Sequence, residues 1–400
     1  MSKRNWIIIW ITLFSALFII NSNAFAISPE TEQLLKLLEK KNIITDKEAA
    51  DMKQEMESSS QAGDKEACET KLTNLLGKWA DKIHPSACIE VEAFYEDKNF
   101  HDPSVRDTDT SDLKLATVAF GFDVDIAKHV KGSLFFLYEE DDTEFDVDEG
   151  IIRIDGADVV PLYVDLGKMY VPFGKFESHF ISDPLTLELG ETNESAAVGG
   201  FRNDWIELSV GAFNGDVDET GKGNSIHIDN YLASAIFTLP ETTVPDFNLT
   251  AGISGISNIA DSNNLQTVGT GVSAATIKNH IGGFNAFIIA SLLDRYFFNA
   301  EYLGAIDDFE AGELSFDGGK SYRPEAWAIE LACGITDSLK FGVCYEGSND
   351  CGDFLPEKQF GGVVSYDLFK NTSVALEYLY GKYENKDTRH LMTTQLAIEF

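Results

Sequence analysis

The chain has 400 residues, of which 31 are Lys or Arg and 66 are Asp or Glu, so its formal charge at pH 7 is −35. So few basic residues exclude a nucleic-acid-binding surface, which needs clustered Lys and Arg to displace counterions from the phosphate backbone. The mean hydropathy of −0.12 argues against a bundle of membrane helices, whereas 28 Phe and 13 Tyr are too many for a disordered acidic chain. The apolar side chains must therefore belong to a structure other than a bundle of membrane helices or a disordered chain.

Residues 1–26 have the pattern of a secretory signal peptide. Lys3 and Arg4 form a basic start, an apolar segment runs from Trp6 to Ile20, and Ala24 and Ala26 occupy the positions of a cleavage site. An uncleaved anchor helix is the alternative. A cleaved signal peptide predicts that the chain is exported across the inner membrane of a Gram-negative cell.

Residues 27–87 are predicted to form a short α-helical segment in the periplasm. Ser28 and Pro29 fit the start of a helix, and the leucines between residues 34 and 38 form an apolar stripe. A coiled coil between copies of the chain and a helical hairpin within one chain both fit this pattern.

The five cysteines are an odd number, so at least one has no partner within the chain. Strand alternation predicts that Cys333 and Cys344 point to opposite faces of a sheet, which disfavours a bond between them. A bond between Cys68 and Cys88 is favoured instead.

From residue 89 onward the hydrophobic period changes from that of a helix to the two-residue alternation of β-strands. Between Val118 and Ile126, for example, apolar side chains alternate with small or acidic ones. The connections between strands are alternately long and short, the layout of a bacterial outer-membrane barrel with tight periplasmic turns and longer outer loops. The predicted strands are 89–97, 113–127, 129–140, 149–156, 161–172, 191–203, 204–215, 228–239, 246–257, 279–293, 295–306, 324–336, 339–348, 358–370, 371–384 and 390–400.

The chain ends within an alternating strand, in which Met392, Leu396, Ile398 and the terminal Phe400 share one face. A C-terminal Phe on such a strand resembles the assembly signal of outer-membrane barrels, and pairing of the last strand with the first leaves no free edge in lipid. A soluble β-sandwich or β-solenoid is the alternative, but neither explains the alternating connections. Residues 88–400 are thus predicted to form an all-β membrane protein, an antiparallel transmembrane barrel of about 16 strands, wide enough for an aqueous channel.

Seven stretches carry a resemblance to a known family: 134–144, 167–174, 181–192, 212–217, 258–262, 355–358 and 375–378. They are similar to the LbtU family of siderophore porins. The resemblance implies an outer-membrane barrel that admits iron-siderophore complexes by facilitated diffusion, without the plug domain of energy-coupled receptors.

The segment from Gly167 to Gly174 also resembles a motif of phosphate-selective and related porins, in which the following loop folds into the pore. This resemblance implies that residues 173–190 constrict the channel, and an ordinary exposed loop is the alternative. Arg153 is predicted to face the lumen because it alternates with Ile152 and Ile154. Cationic side chains are few, so phosphate selectivity is not expected. The candidates for the solute path are Arg153, Lys168, Lys175, His179 and Arg202.

Carboxylates are concentrated in two predicted outer loops, residues 139–149 and 307–317. Three interpretations stay open: binding of divalent cations shared with lipopolysaccharide phosphates, attraction of cationic solutes into the mouth, and simple solvation of the outer loops.

The sequence therefore predicts an outer-membrane channel for small solutes, with a ferric siderophore or another small solute as cargo. A general, cation-preferring porin is the alternative, and a surface-structural or adhesive barrel is the second. Neither enzyme activity nor a cofactor is expected, because the seven histidines show no catalytic or metal-ligand spacing. The expected partners are outer-membrane lipid, lipopolysaccharide and the barrel-assembly machinery, and homo-oligomer formation is left open.

Overall fold

The structure is a computed structural model that describes residues 82–141, 143–221 and 227–400. The predicted signal peptide with its cleavage site at Ala24 and Ala26, the helical segment up to residue 81, and Cys68 lie outside the described residues. The expectations for those parts stay predictions.

Sixteen antiparallel strands close into one barrel, which confirms the predicted fold class. Each strand pairs with its neighbours in the chain, and the first pairs with the last. In chain order the strands are β1 Ile83–Asn99, β2 Thr108–Ala127, β3 Val130–Tyr138, β4 Asp146–Asp155, β5 Leu162–Tyr170, β6 Asn193–Arg202, β7 Ile206–Phe213, β8 Asn230–Thr238, β9 Phe247–Ile256, β10 Gly283–Leu292, β11 Tyr296–Ala305, β12 Glu325–Gly334, β13 Leu339–Asn349, β14 Lys358–Phe369, β15 Thr372–Lys382 and β16 Thr388–Glu399.

The terminal residue takes part in closing the barrel. The amide of Ala87 donates to the carbonyl of Phe400 at 2.7 Å, and the amide of Phe400 donates to the carbonyl of Ala87 at 3.0 Å. The register continues with Cys88 opposite Glu399 on β16. The closed sheet therefore presents no long unpaired edge, which is what a barrel in lipid requires.

The connections are alternately short and long, as the sequence predicts. Lys370 and Asn371 alone separate β14 from β15, whereas residues 306–324 separate β11 from β12. The barrel thus has a turn end, where the connections are short, and a loop end, where they are long.

One predicted boundary is wrong. β1 begins at Ile83 rather than at Ile89, so the last residues of the predicted helical segment, 83–87, are instead strand that pairs with β2. The sequence misleads here because His84 and Pro85 look like a helix stop, yet proline is tolerated near the first residue of a strand.

Side chains alternate between the outer surface and the lumen. On β5, Leu162 and Val164 are exposed on the outside, while Tyr163 and Asp165 are buried on the inside. This alternation is that of a barrel whose outer face meets lipid and whose inner face meets water.

The described cysteines are free thiols: Cys88, Cys333, Cys344 and Cys351. Cys344 lies opposite Glu330 and Cys333 lies opposite Phe341, and Cys344 is buried on the luminal face whereas Cys333 shares its parity with exposed Leu331. The predicted opposite orientation of Cys333 and Cys344 is therefore confirmed.

Helices in the described chain are short and lie in the long connections. They are α1, Leu185–Gly190, and a 3₁₀ turn, Ile259–Asp261. Among the described residues there is no helix of the length and apolarity that a membrane crossing requires. Two further strands of two residues, Asp218–Glu219 and Thr276–Ile277, pair in parallel where two long connections meet.

Candidate functional site

Residues 171–192, between β5 and β6, fold into the lumen and are named here the inner loop. The chain turns inward at Gly174, which has a φ of +91° and where a Cβ would lie 2.2 Å from the Phe176 ring, so only glycine fits. Phe173 is 1% exposed, and the amide of Gly174 donates to Ser254 Oγ on β9 at 3.1 Å. The loop therefore leaves β5 and runs along the inner wall, as predicted for residues 173–190.

A glutamate of the wall holds the first part of the inner loop through its backbone. On β11, Glu301 accepts the amide of Lys175 at 2.9 Å and the amide of Phe176 at 2.8 Å. Asn285 Nδ2 donates to the same carboxylate at 2.7 Å. Phe176 has a φ of +55°, a left-handed conformation that is rare for an aromatic residue, and the Glu301 bond holds it there.

Two further glutamates hold the next part of the loop. On β12, Glu330 accepts the amide of His179 at 3.1 Å, and its Oε1 lies 2.6 Å from His179 Nδ1. On β15, Glu377 accepts the amides of Ile181 at 2.7 Å and Ser182 at 3.1 Å, together with the Ser182 hydroxyl at 2.6 Å.

A fourth glutamate completes this set. On β13, Glu346 is 6% exposed, lies beside Leu185 at the start of α1 and accepts a hydrogen bond from Gln359 Nε2 at 2.9 Å. Bonds from N–H donors to a carboxylate are charge-assisted and stronger than neutral ones, so they fix the loop along β9 to β15. The four residues are named the wall glutamates: Glu301, Glu330, Glu346 and Glu377.

The other long connections cover part of the loop end beside the inner loop. Their apolar side chains pack against the inner loop and the inner wall, and several of them are fully buried. This core contains Ile259, Leu265, Val272, Phe309 and Leu314, each 0–1% exposed.

A buried carboxylate joins two of these connections. Asp261 is 0% exposed and accepts the amide of Val217 at 2.8 Å and Asn258 Nδ2 at 2.6 Å. Burial raises the pKa of Asp261 to about 6, although both donors act in the opposite direction. A Cβ on Gly215 would lie 2.2 Å from this carboxylate, so the two connections meet closely there.

Two large cavities lie along the described part of the lumen, and both border the inner loop. The outer chamber, toward the loop end, has a volume of about 730 Å³ and is bordered by Phe180 to Asp183. The turn-side chamber has a volume of about 760 Å³ and is bordered by His179 and by residues of short turns such as Ser338 and Asn371. The inner loop therefore stands between the two chambers.

Most charged side chains that line the outer chamber are acidic. The two basic ones are held by the wall: Lys114 Nζ lies 3.9 Å from Glu92, and Arg389 Nη2 donates to Gln359 Oε1 at 3.0 Å. Charges of one sign in a cleft with low-dielectric walls raise the local concentration of the opposite ion. The acidic residues are Glu90, Glu92, Glu139, Glu140, Asp183 and Glu188.

Asp183 stands at the tip of the inner loop and faces several of these carboxylates. Its charge interacts repulsively with those of Glu90, Glu92 and Glu139. Asp183 is exposed to the chamber, and no described residue donates a hydrogen bond to its side chain. Unlike the wall glutamates, which face the inner loop, this carboxylate contributes its negative charge to the chamber.

Two predicted path residues, Lys175 and His179, lie on the inner loop. Lys175 Nζ is 3.2 Å from Glu177 Oε1. The His179 side chain is 28% exposed and pairs with Glu330, and its ring lies 4.9 Å from that of Phe297. The Lys175 ammonium and the His179 ring each have a carboxylate beside them, so neither adds much positive potential to the lumen.

Arg153 and Arg202 face the lumen from β4 and β6, where they meet on Tyr163. Their guanidinium carbons lie 5.6 and 5.3 Å from the centre of the Tyr163 ring, within cation–π distance. Arg153 donates to Asp165 through Nε at 2.6 Å and Nη2 at 2.5 Å, and Arg202 Nη2 donates to Asp155 at 3.2 Å. Neither arginine is among the residues that line the two chambers.

Lys168 does not face the lumen, which corrects the sequence-based expectation. It shares its parity on β5 with Val164 and Leu166, whose side chains are exposed on the outer surface, and its Nζ donates to the carbonyl of Val147 at 2.9 Å. A lysine near the end of a strand can face outward because its long stem reaches the polar rim.

The wall glutamates border the inner loop, and the sequence pattern did not single them out, because it drew attention to the acidic residues of the outer loops. A signal exists in the alternation: Glu330 lies between Ile329 and Leu331, and Glu377 lies between Leu376 and Tyr378. Such a lone carboxylate between outward apolar residues must point inward. What it binds there does not follow from the alternation.

The acidic loop at residues 139–149 is partly bonded to its own surroundings. The Thr143 hydroxyl donates to Glu139 at 2.8 Å, and the amide of Leu115 donates to Glu140 at 2.7 Å. Within the described ranges, no group of three or more His, Cys, Asp or Glu is arranged to hold a metal ion. Binding of divalent cations by this loop stays a prediction.

A closed antiparallel barrel of sixteen strands around a partly open lumen is the fold of an outer-membrane porin. The chain is similar to the outer membrane channel DcaP of Acinetobacter baumannii, with a TM-score of 0.54 and 13% identity over 80% of this chain and 97% of that one. It is also similar to an anion-selective porin from Comamonas acidovorans, with a TM-score of 0.54 and 10% identity over 80% of this chain and 99% of that one. A third similar structure is OmpF of Salmonella typhi in complex with daunomycin, with a TM-score of 0.53 and 10% identity over 80% of this chain and 97% of that one. These structures are porins, which are non-enzymatic channels, and at this identity the likeness shows the fold alone.

Sequence relatives are found among Gram-negative bacteria. A UPF0422 protein of Legionella pneumophila strain Lens is 26% identical over 313 residues, which cover 70% of this chain and 56% of the relative. A UPF0422 protein of Coxiella burnetii is 24% identical over 255 residues, which cover 62% of this chain and 53% of the relative. The chain thus spans about half the length of the curated relatives that it matches. No family model matches the sequence, and membership of the LbtU family stays a prediction.

Proposed function

We propose that this protein is an outer-membrane channel that conducts small solutes through the outer chamber and prefers cations. The observation that carries the proposal is the lining of that chamber, in which six carboxylates stand against two basic residues held by the wall. A negative potential of this kind attracts cations and repels anions. The porin fold supports passage through the lumen, while the charge of the solute is argued from this chain alone.

A ferric siderophore is the cargo that the family resemblance favours for the same channel. A chamber of about 730 Å³ falls within the range of cavities that hold drug-sized ligands. Because the carboxylates repel an anionic complex, a siderophore that passes should be neutral or positively charged when iron is bound.

The test of the siderophore cargo is iron-limited growth of a deletion strain on purified ferric siderophores of different charge. We expect slower growth than the parent on a neutral or cationic siderophore and equal growth on an anionic one. Growth equal to that of the parent on every siderophore would contradict this cargo and leave the cation channel in place.

The test of cation preference is the zero-current potential of the full chain in planar bilayers under a tenfold KCl gradient. We expect a potential of the sign given by K⁺ permeation, and Asp183→Asn should lower the permeability ratio of K⁺ to Cl⁻ by about twofold, since it removes one of six carboxylates. Glu241→Gln is the matched control, because Glu241 is exposed in a short turn and does not border the chamber.

A Cl⁻-selective potential would contradict the proposal. A folded protein that conducts nothing would favour the surface-structural or adhesive barrel instead.

A further inference from the structure

The outer chamber has an apolar lining as well as an acidic one. Five of its apolar residues come from three elements, the tip of the inner loop, the connection between β13 and β14, and β16, while Phe94 on β1 and Leu185 on α1 add to this lining. The five residues are Phe180, Ile181, Phe354, Pro356 and Leu391. Pro356 is buried, and the other four are half-buried.

The acidic lining comes largely from other elements. Glu90 and Glu92 lie on β1, and Glu139 and Glu140 follow β3. Acidic and apolar side chains lie next to each other at the loop tip, because only Ser182 separates Ile181 from Asp183 in the sequence. A molecule in the chamber therefore meets carboxylates and hydrocarbon within the same cavity.

The turn-side chamber differs in its charges. Lys340 and Lys370 line it together with Asp367 and Glu399, so both signs are present in equal number. The combination of excess negative charge with apolar side chains is a property of the outer chamber.

From these observations we infer that the outer chamber binds organic cations that carry an apolar group. The inference rests on the proposed cation channel and names the class of solute that this channel holds best. The ammonium group is attracted by the carboxylates, and the apolar group removes Ile181 and Leu391 from water. Apolar surface that is kept in contact with water inside a binding cavity is a common mark of a ligand site.

The geometry also distinguishes between solutes of equal charge. A small ammonium ion gains only the electrostatic attraction, whereas an arylalkyl ammonium ion gains the burial of its ring in addition. Burial of a ring against such side chains corresponds to a tenfold or greater gain in affinity. An aromatic anion has the ring but is repelled by the carboxylates.

The inference is tested by adding phenethylammonium, ethylammonium or phenylacetate to single channels of the full chain that conduct KCl. We expect phenethylammonium to reduce the K⁺ current at a concentration about tenfold lower than ethylammonium, and phenylacetate to have no effect. Ile181→Asn and Leu391→Asn should each reduce the difference between the two amines to threefold or less. Phe369→Asn is the control, because Phe369 lines the turn-side chamber, and it should leave the difference unchanged.

The failure of this inference differs from the failure of the proposed function. If the channel is K⁺-selective but both amines act at the same concentration, the apolar lining does not bind solute and the inference is overturned. Loss of the difference in Phe369→Asn instead of the two chamber variants would also overturn it. A channel that selects Cl⁻ overturns the proposed function and this inference together.

Discussion

At the scale of single residues, the lumen is shaped by side chains that leave no room for substitution. Gly200 on β6 is one example, because a Cβ at this position would lie 2.5 Å from the Tyr163 ring. The ring itself is held by its hydroxyl, which donates to Glu207 Oε1 at 2.7 Å, and by Arg153 and Arg202 on its faces. A glycine here thus permits a contact among four charged or aromatic residues.

We expect Gly200→Ala to lower the free energy of unfolding by about 1–3 kcal/mol, the usual cost of overpacking. The added methyl group must displace Tyr163 and break its bond to Glu207. Urea titration of the barrel in detergent micelles measures the change. Gly199→Ala is a close control, since a Cβ there would meet nothing nearer than 3.9 Å, and equal stabilities of the two variants would contradict the packing argument.

At the scale of elements, the inner loop shows how far sequence reasoning reaches. The resemblance of residues 167–174 to other porins placed the loop in the lumen, and alternation oriented Arg153 correctly. The path of the loop could not be predicted, because its bonds join residues far apart in sequence, such as Ile181 and Glu377. Those bonds depend on the register of the closed barrel, which local patterns do not contain.

We expect Glu377→Ala to loosen the tip of the inner loop. The substitution removes the acceptor of the amides of Ile181 and Ser182 and of the Ser182 hydroxyl, and a buried donor left without a partner costs about 1–3 kcal/mol. Single-channel recording should show current noise raised about twofold or more, with a smaller rise in Glu377→Gln, which keeps an acceptor oxygen. Glu241→Ala is the control. If the current noise of Glu377→Ala does not exceed that of the control, the other wall glutamates hold the tip without Glu377.

At the scale of the whole molecule, the strand pattern was predictable because a barrel repeats one rule sixteen times. Apolar alternation and the alternating connection lengths each appear in every hairpin, so local errors do not change the architecture. The errors occur where the rule has exceptions: at the start of β1, where Pro85 lies within a strand, and at Lys168, whose charge suggested the lumen although its parity is outward. The excess of acidic residues belongs partly to the lumen, where the wall glutamates and the outer chamber lie.

The closure of the barrel gives a prediction about assembly. Deletion of Phe400 removes both backbone bonds to Ala87, so we expect at least a twofold loss of folded barrel in the outer membrane. The folded fraction is measured by the change in gel migration on boiling. Phe369→Ala serves for comparison, because Phe369 is 75% exposed next to a short turn, and an equal loss in both variants would argue against a special role of the last residue.

The central claim is that solutes pass through the outer chamber beside the tip of the inner loop, and chemical modification at Asp183 tests it most directly. A bulky, positively charged thiol reagent is added to single channels of the Asp183→Cys variant, with the unchanged chain as control. Because Asp183 borders the chamber and is exposed to it, modification should reduce the K⁺ current by more than half and leave the control unaffected. A modified variant that conducts K⁺ as well as before modification would contradict the account.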